Sequence, residues 1–378
     1  MAAGIATFAQ LYAIQAVLPQ MSADWDLVPS QAALTVSAAT TGVAVGVFPW
    51  AWAADRWGRF RCLRAALVLA VIFGVLAAFM PHFEALLAVR FLSGVALAGV
   101  PVLTVAYIRE LFSGAKAAAV ASAYIAGTSA GGAGGRLIAG PLAPELGWRG
   151  AVVLVSVLCL LIALLFLLAP RPPAQEVRAS VSQRCRFLLA LSRLALWRLY
   201  IQALLVMGGF VAVYNFISFR LQDEPFSLTP AISALIFFAY FAGTATSRLG
   251  GAWLTRLGYA RTVAMGIGGM IVGLGIALFP HILAVFTGLV VFTSAFFLAH
   301  AAAVAAVGEA AGPEYRAQAS AFYTVFYYLG SGILGWGLGL FFEVWSWAVM
   351  SGVIAVVLLL CLGFCTLGTD RRTFHAPR

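Results

Sequence analysis

Ala51-Trp-Ala-Ala-Asp55-Arg56-Trp-Gly58-Arg59-Phe-Arg61 returns two hundred residues later as Gly251-Ala-Trp-Leu-Thr255-Arg256-Leu-Gly258-Tyr-Ala-Arg261. Arg56 and Arg256, Gly58 and Gly258, and Arg61 and Arg261 fall in register. A second echo pairs Ala121-Ser-Ala-Tyr124 with Ala319-Ser-Ala-Phe322 at an offset of 198. Two matched offsets in one chain mark an internal duplication, a construction common in membrane transport proteins. Each copy of the longer stretch is a short charged turn between two apolar runs, so the repeated unit is a bundle of apolar segments.

The rest of the chain has the same texture. Its 378 residues are 63% hydrophobic with a mean hydropathy of +1.00 and only 10% charged, against about 45–50% apolar for a soluble domain. The charges cluster between apolar runs of about 20 residues, the length that crosses a ~30 Å hydrocarbon core as a helix. Within lipid each main-chain N–H and C=O must be satisfied inside its own element or a closed barrel, and the short alternating strands of a barrel are not present. The pattern predicts an all-α membrane protein of twelve transmembrane helices in two pseudo-symmetric six-helix bundles. The spans are expected near 2–21, 31–54, 63–81, 84–108, 116–142, 149–169, 196–219, 230–254, 261–280, 282–307, 316–341 and 345–367. The expected domains are an N-terminal bundle over 1–169, a linker loop over 170–195, a C-terminal bundle over 196–369 and a tail over 370–378.

Orientation follows from the lysines and arginines, which favour the cytoplasmic side of short loops. With the N-terminus inside, eighteen of the 23 lie in inside loops or the tail, Arg149 and Arg220 lie at outside ends, and Arg90, Arg136 and Arg248 lie within spans. Both termini, the linker and the tail are therefore expected in the cytoplasm of a bacterial-type cell, with the bundle in the inner membrane. Met1-Ala2-Ala3 lacks the basic start of a cleavable signal peptide, so the first helix is expected to remain. The net charge of +10 is spread over these loops and points to membrane orientation, with no nucleic acid as partner.

Several chemistries are excluded on residue type and spacing. The five cysteines, Cys62, Cys159, Cys185, Cys361 and Cys365, form no Cys-x-x-Cys pair and have no histidine at zinc spacing, so no metal site is expected. The glycines at 131–135 are not followed by Lys-Ser/Thr and lie within a span, which rules out a phosphate-cradling loop. No His-Glu-x-x-His or Gly-x-Ser-x-Gly occurs. An enzyme is not expected, nor any cofactor.

The Asp55 turn resembles the signature Gly-x-x-x-Asp-Arg-x-Gly-Arg-Arg of the major facilitator superfamily, carried here by Asp55, Arg56, Gly58 and Arg59, with Arg61 displaced by one position. Ala51 stands where the signature opens with glycine, and Thr255 replaces the acid in the second copy. Leu87-x-x-Arg90-x-x-x-Gly94 is similar to the family's span-four arginine motif. The run Gly127 to Pro141 is similar to the glycine motif of its antiporters, with Gly135-Arg136 where Gly-Pro is usual. The resemblance covers essentially the whole chain and looks closest to the twelve-helix drug and metabolite efflux branch, which includes sugar exporters. It implies the major facilitator fold, a latch at Asp55, Arg56, Gly58, Arg59 and Arg61 echoed by Arg256 and Gly258, and a central cavity bordered by span four.

The residues themselves give parallel reasons. Gly58 suits a turn at positive φ, and Asp55 at a helix C-terminus needs a cation to offset the helix dipole, for which Arg56, Arg59 and Arg61 are at hand. Arg90 in an apolar helix is costly unless a partner or water receives it; it is either a coupling or anion-holding group or a structural pin. Arg136 interrupts the packing glycines Gly131, Gly132, Gly134, Gly135 and Gly140, and either faces a cavity or pairs across an interface. His300 carries the one side-chain type that titrates near neutrality unperturbed, although a lone histidine in an apolar helix is often hydrogen-bonded to a neighbour. Tyr12, Gln15, Asn215, Tyr240 and Tyr327 are further polar candidates, with Gln202 and Tyr323 beside them. None of the 13 acids lies at a helix midpoint.

Together these readings predict a secondary transporter, a proton-coupled exporter of a small organic solute working by alternating access, with a small-molecule substrate, protons as coupling ion and the lipid bilayer as partners, and acting as a monomer. A uniporter or exchanger for an organic anion or sugar-like solute stays open, as does a receptor or scaffold that kept the fold.

Overall fold

Each copy of the repeated stretch folds as a helix–glycine–helix corner. Gly58 has φ +89° and ends α3 (Pro29–Trp57) while opening α4 (Arg59–Ala78); Gly258, at φ +79°, does the same between α9 (Tyr240–Leu257) and α10 (Tyr259–Ile276). A side chain at either position would be forced into a conformation that only glycine adopts freely. The duplication read in the sequence is thus a duplication of backbone geometry.

The structure is a computed structural model that describes residues 1–168 and 190–366. Most of the expected linker, 170–195, and the whole tail, 370–378, lie outside the described residues, and Arg248 lies where side chains are not described. The first crossing comprises α1 (Ala2–Tyr12), a 3-10 stretch (Ala13–Val17) and α2 (Leu18–Trp25). After α4 come α5 (Phe83–Leu111), α6 (Gly114–Leu167), α7 (Leu194–Gln222), α8 (Pro230–Ala234) and a 3-10 stretch (Leu235–Ala239) leading into α9. Beyond α10 lie α11 (Ile282–Gly337), α12 (Gly339–Val344) and α13 (Trp347–Thr366). No strand occurs among the described residues.

Among the described residues, ten stretches are long and apolar enough to cross a membrane, two fewer than the sequence reading gives. The difference has a local cause in each half. Ala119–Leu165, at 47 residues, is roughly 70 Å of helix, more than twice the hydrocarbon core, and it turns at Gly147 (φ +67°), so it supplies two crossings. The expected span over 230–254 is present but interrupted: α8 and α9 are separated by the 3-10 stretch, and together they run from Pro230 to Leu257. With these the expected twelve are accounted for. The expected spans 282–307 and 316–341 likewise run on as α11, broken at Gly312 (φ +65°) and Tyr315.

Starts are set by local chemistry. Pro29 and Pro230 occupy the first turns of α3 and α8, where a missing N–H costs nothing. The Gln31 side chain accepts from the Val28 N–H at 3.1 Å, and Thr229 accepts from the Ile232 N–H at 3.4 Å.

The chain separates into two units, one of Met1–Ser180 with Leu228–Phe237, the other of Val181–Ser227 with Phe238–Arg378. In the first, α1 lies along α6 with glycines at the contact. A Cβ at Gly127, Gly131 or Gly135 would come 2.5, 2.3 and 2.6 Å from the carbonyl oxygens of Met1, Ile5 and Ala9. Two four-residue periods mesh there, so the helices touch backbone to backbone. Gly140 closes instead on Ala234, while Gly134 faces open space. Gly131→Ala is therefore expected to lower thermal stability by an overpacking cost of about 1–3 kcal/mol, and Gly134→Ala to leave the melting temperature near wild type. Size-exclusion profiles after heating, for both variants, measure this.

The two arginines assigned to outside ends also have structural work. Arg149, over the rings of Trp25 and Trp148 at 5.0 and 4.7 Å, donates to the carbonyls of Ala78 and Met80 just where α4 ends. In the second unit Arg220, over Trp347 at 4.8 Å, donates to the carbonyls of Ala277 and Leu278 where α10 ends. The guanidinium comes from a different helix in each unit, yet it caps the equivalent orphan carbonyls with a favourable charge.

Candidate functional site

Three groups of candidate residues emerge, two in the first unit and one in the second. The first is built on the break in the opening helix. Pro19 lacks the N–H that would bond the carbonyl of Gln15, and Tyr12 (φ −111°, ψ −6°) and Val17 (φ −115°, ψ 8°) bracket the 3-10 stretch. Where the hydrogen-bond register changes, main-chain donors no longer line up with every carbonyl. Arg90, on α5 and only 3% exposed, supplies donors at that level: Nη2 to the Leu11 carbonyl at 2.8 Å, Nη1 to the Gln10 carbonyl at 3.5 Å, and Nε to the Thr35 carbonyl on α3 at 3.1 Å. One planar group thereby ties three helices of the first unit.

A little over one turn further on, Arg136 of α6, 1% exposed, meets Gln15. Its Nε–H donates to Gln15 Oε1 at 2.7 Å, its Nη2 donates to the same oxygen, and Nη1 folds back to the Gly132 carbonyl at 2.6 Å. The rings of Tyr12 and Phe237 lie 4.7 and 5.3 Å from the guanidinium carbon, an arrangement that stabilises a desolvated cation by up to about 2 kcal/mol. The structure thus brings Tyr12, Gln15 and Arg136 together, and adds Phe237, which the sequence offered no reason to select.

The second group is the α3–α4 corner. Asp55 and Arg56 are exposed on the last turn of α3, over a buried layer that includes Leu63, Leu67, Val100 and Tyr107. The sequence reading offered Arg59 as a partner for Asp55; in the structure Arg59 forms an ion pair with Glu110 at the end of α5. The physical reason is that each is wrongly signed for its own helix end, a cation in the first turn of α4 and an anion in the last turn of α5, so pairing offsets both. The second copy keeps the acid as Glu309, which is exposed, but puts Tyr259 at the position of Arg59. Tyr259 turns inward, and its hydroxyl donates to Gln202 Oε1. Arg256 is exposed beside Gly258.

The third group lies in the second unit. His300 of α11 has Nδ1 2.9 Å from the Tyr323 hydroxyl, its ring is 4.8 Å from that of Tyr327, and Phe296 stacks parallel to it at 5.8 Å. The turn spacing explains this, since Phe296 and His300 share one face, and Tyr323 and Tyr327 share another. These side chains converge with Gln202, Val206 and Met207 on one closely packed cluster, which in this conformation leaves no space the size of a water molecule. Gln202 and Tyr323 are as central to it as His300. Asn215 and Tyr240 are placed elsewhere: Asn215 Nδ2 donates to the Gly335 carbonyl at 3.0 Å, and Tyr240 packs among Phe210, Tyr214 and Phe297. No cluster of three or more metal-ligating side chains occurs among the described residues.

Comparison with known proteins agrees with this architecture. The family model described as the Major Facilitator Superfamily matches residues 1–333 and 221–378. The chain is 32% identical to the MFS-type transporter YybF of Bacillus subtilis over 96% of its own length and 90% of that protein. It is 33% identical to the inner membrane transport protein YnfM of Escherichia coli over 99% of its own length and 90% of that protein. Among solved structures it is similar in fold to the nucleoside transporter NupG, with a TM-score of 0.79, 15% identity, and coverage of 96% of this chain and 98% of that one.

Proposed function

Because the chain belongs to the major facilitator superfamily and is a multi-pass membrane transporter of small solutes, we propose that it is a proton-coupled exporter that works by alternating access. The observation that carries this reading is the His300 cluster: polar and aromatic side chains gathered within the membrane-spanning part of the second unit around the one histidine that lies inside a span among the described residues. As the helices part during alternating access, a solute with a flat ring or polyol face enters between Phe296 and Tyr327, while His300, Tyr323 and Gln202 supply hydrogen bonds. The imidazole exchanges the coupling proton.

The remaining parts of the proposal follow from sequence patterning. Both termini, the 170–195 linker and the 370–378 tail are assigned to the cytoplasm, with the bundles 1–169 and 196–369 on either side of that linker in the inner membrane of a monomer. Asp55, Arg56, Gly58, Arg59 and Arg61, with Arg256 and Gly258, form a cytoplasmic latch. The Arg59–Glu110 pair, exposed enough to be broken by water, is the contact such a latch would exchange.

Flux in proteoliposomes tests the proposal. Candidate aromatic and sugar-like solutes are expected to accumulate against their gradient when a pH gradient is imposed, and to equilibrate only when it is collapsed. Downhill flux indifferent to pH would make the protein a uniporter or exchanger, and absence of any flux would leave a receptor or scaffold.

A further inference from the structure

We propose that the groove between α4 and the second crossing of α6 is a binding site for an anionic phospholipid, with the headgroup on Arg61 and Arg64 and one acyl chain in the groove. The groove has a volume of about 370 Å³ and an entirely apolar lining, with Val68, Ile72 and Leu76 along one wall, and Leu160 and Ala163 facing them. Val68, Ile72 and Leu76 are 44, 46 and 41% exposed, so this face is open on the unit's outer surface.

The helical register links groove and charge. Arg61, Ala65, Val68, Ile72 and Leu76 recur every three to four residues and are all exposed, forming one stripe down α4. Arg64 leads into the same groove through Val68 and Val71. Side chains on a helix lean toward its N-terminus, which carries both guanidiniums away from the apolar wall, toward the depth at which lipid headgroups sit. Arg64 lies 5.8 Å over the Phe60 ring, which fixes it at the head of the groove. Arg59 is taken up by Glu110, whereas Arg61 and Arg64 form no ion pair among the described residues.

Length and charge together select the occupant. From Leu67 to Leu76 α4 rises roughly 14 Å, about half of a ~30 Å hydrocarbon core and so the depth of one leaflet. A single acyl chain fills such a groove from headgroup to midplane. Two unpaired arginines at its head select an anionic phosphodiester over a zwitterionic one. The duplicated helix is a built-in control: α10 keeps Arg261, but has Ala264 for Arg64, and Gly268 and Gly275 for Val68 and Val75, so it lacks the second cation and two of the bulky side chains of the wall.

Native mass spectrometry of the purified full-length protein tests this, in mild detergent with equal amounts of dioleoyl phosphatidylglycerol and dioleoyl phosphatidylcholine. Wild type is expected to retain phosphatidylglycerol by about tenfold or more, as two cations at an anionic headgroup give. The double variant Arg61→Gln/Arg64→Gln is expected to bind both lipids alike. Ile72→Trp, at an exposed position that tolerates bulk, is expected to cut phosphatidylglycerol retention with both arginines in place, and Arg261→Gln to change nothing. Equal retention of the two lipids by wild type would overturn the proposal. So would a preference that survives the double variant, or one unaffected by Ile72→Trp, which would reduce the effect to surface charge. Should the double variant not fold, Ile72→Trp against Arg261→Gln decides the matter alone.

Discussion

Arg90→Ala is expected to reduce the amount of folded protein several-fold before it affects transport by the molecules that remain. The guanidinium occupies carbonyl oxygens of Leu11, Gln10 and Thr35, and each buried acceptor left unsatisfied costs about 1–3 kcal/mol. Set against a total stability on the order of 5–15 kcal/mol, that loss is large. Arg90→Lys is expected to fall between, since one ammonium cannot span the Thr35 and Leu11 carbonyls at once. Detergent-solubilised yield, melting temperature and flux per folded molecule, measured for both variants, check this. Normal yield and stability in Arg90→Ala combined with lost flux would instead make Arg90 a coupling or substrate residue, the other alternative that the sequence allows.

The second large effect concerns His300, and it is the opposite in kind. His300→Gln keeps a side chain able to hydrogen-bond Tyr323 but removes the titratable ring, so folding is expected to persist while proton-driven accumulation falls by about tenfold or more. Downhill exchange of solute is expected to survive better than accumulation, because stacking on Phe296 and Tyr327 does not need the proton. His300→Phe, which fills the space without a polar atom, is expected to lose both. Parallel measurement of pH-driven uptake and solute exchange in proteoliposomes separates the steps, and proton-driven accumulation unchanged in His300→Gln would remove the histidine from coupling.

These two residues also mark how far the sequence could be read. Apolar runs, the positional bias of arginine and the repeated glycine corner determined an all-helical membrane protein of duplicated design, because a bilayer accepts few main-chain solutions and charge has few places to go. Gly58 and Gly258 were legible as turns, since positive φ is a local property that a single residue type announces. That Arg90 and Arg136 needed partners was legible as well, from the cost of burying charge.

Which partners they have was decided only by tertiary structure. Arg90 is received by carbonyls made available where Pro19 and the 3-10 stretch shift the opening helix out of register, and Arg136 by Gln15, Tyr12 and Phe237. Those contacts join residues up to 121 positions apart in the chain, and no periodicity or spacing encodes which helix faces which at that depth. The same holds for Arg59, drawn away from nearby Asp55 to distant Glu110 by the helix ends that packing sets side by side, and for the cluster that gathers Gln202, His300 and Tyr323. Sequence fixes what a side chain requires of its surroundings; the packing of helices in three dimensions selects which neighbour meets the requirement.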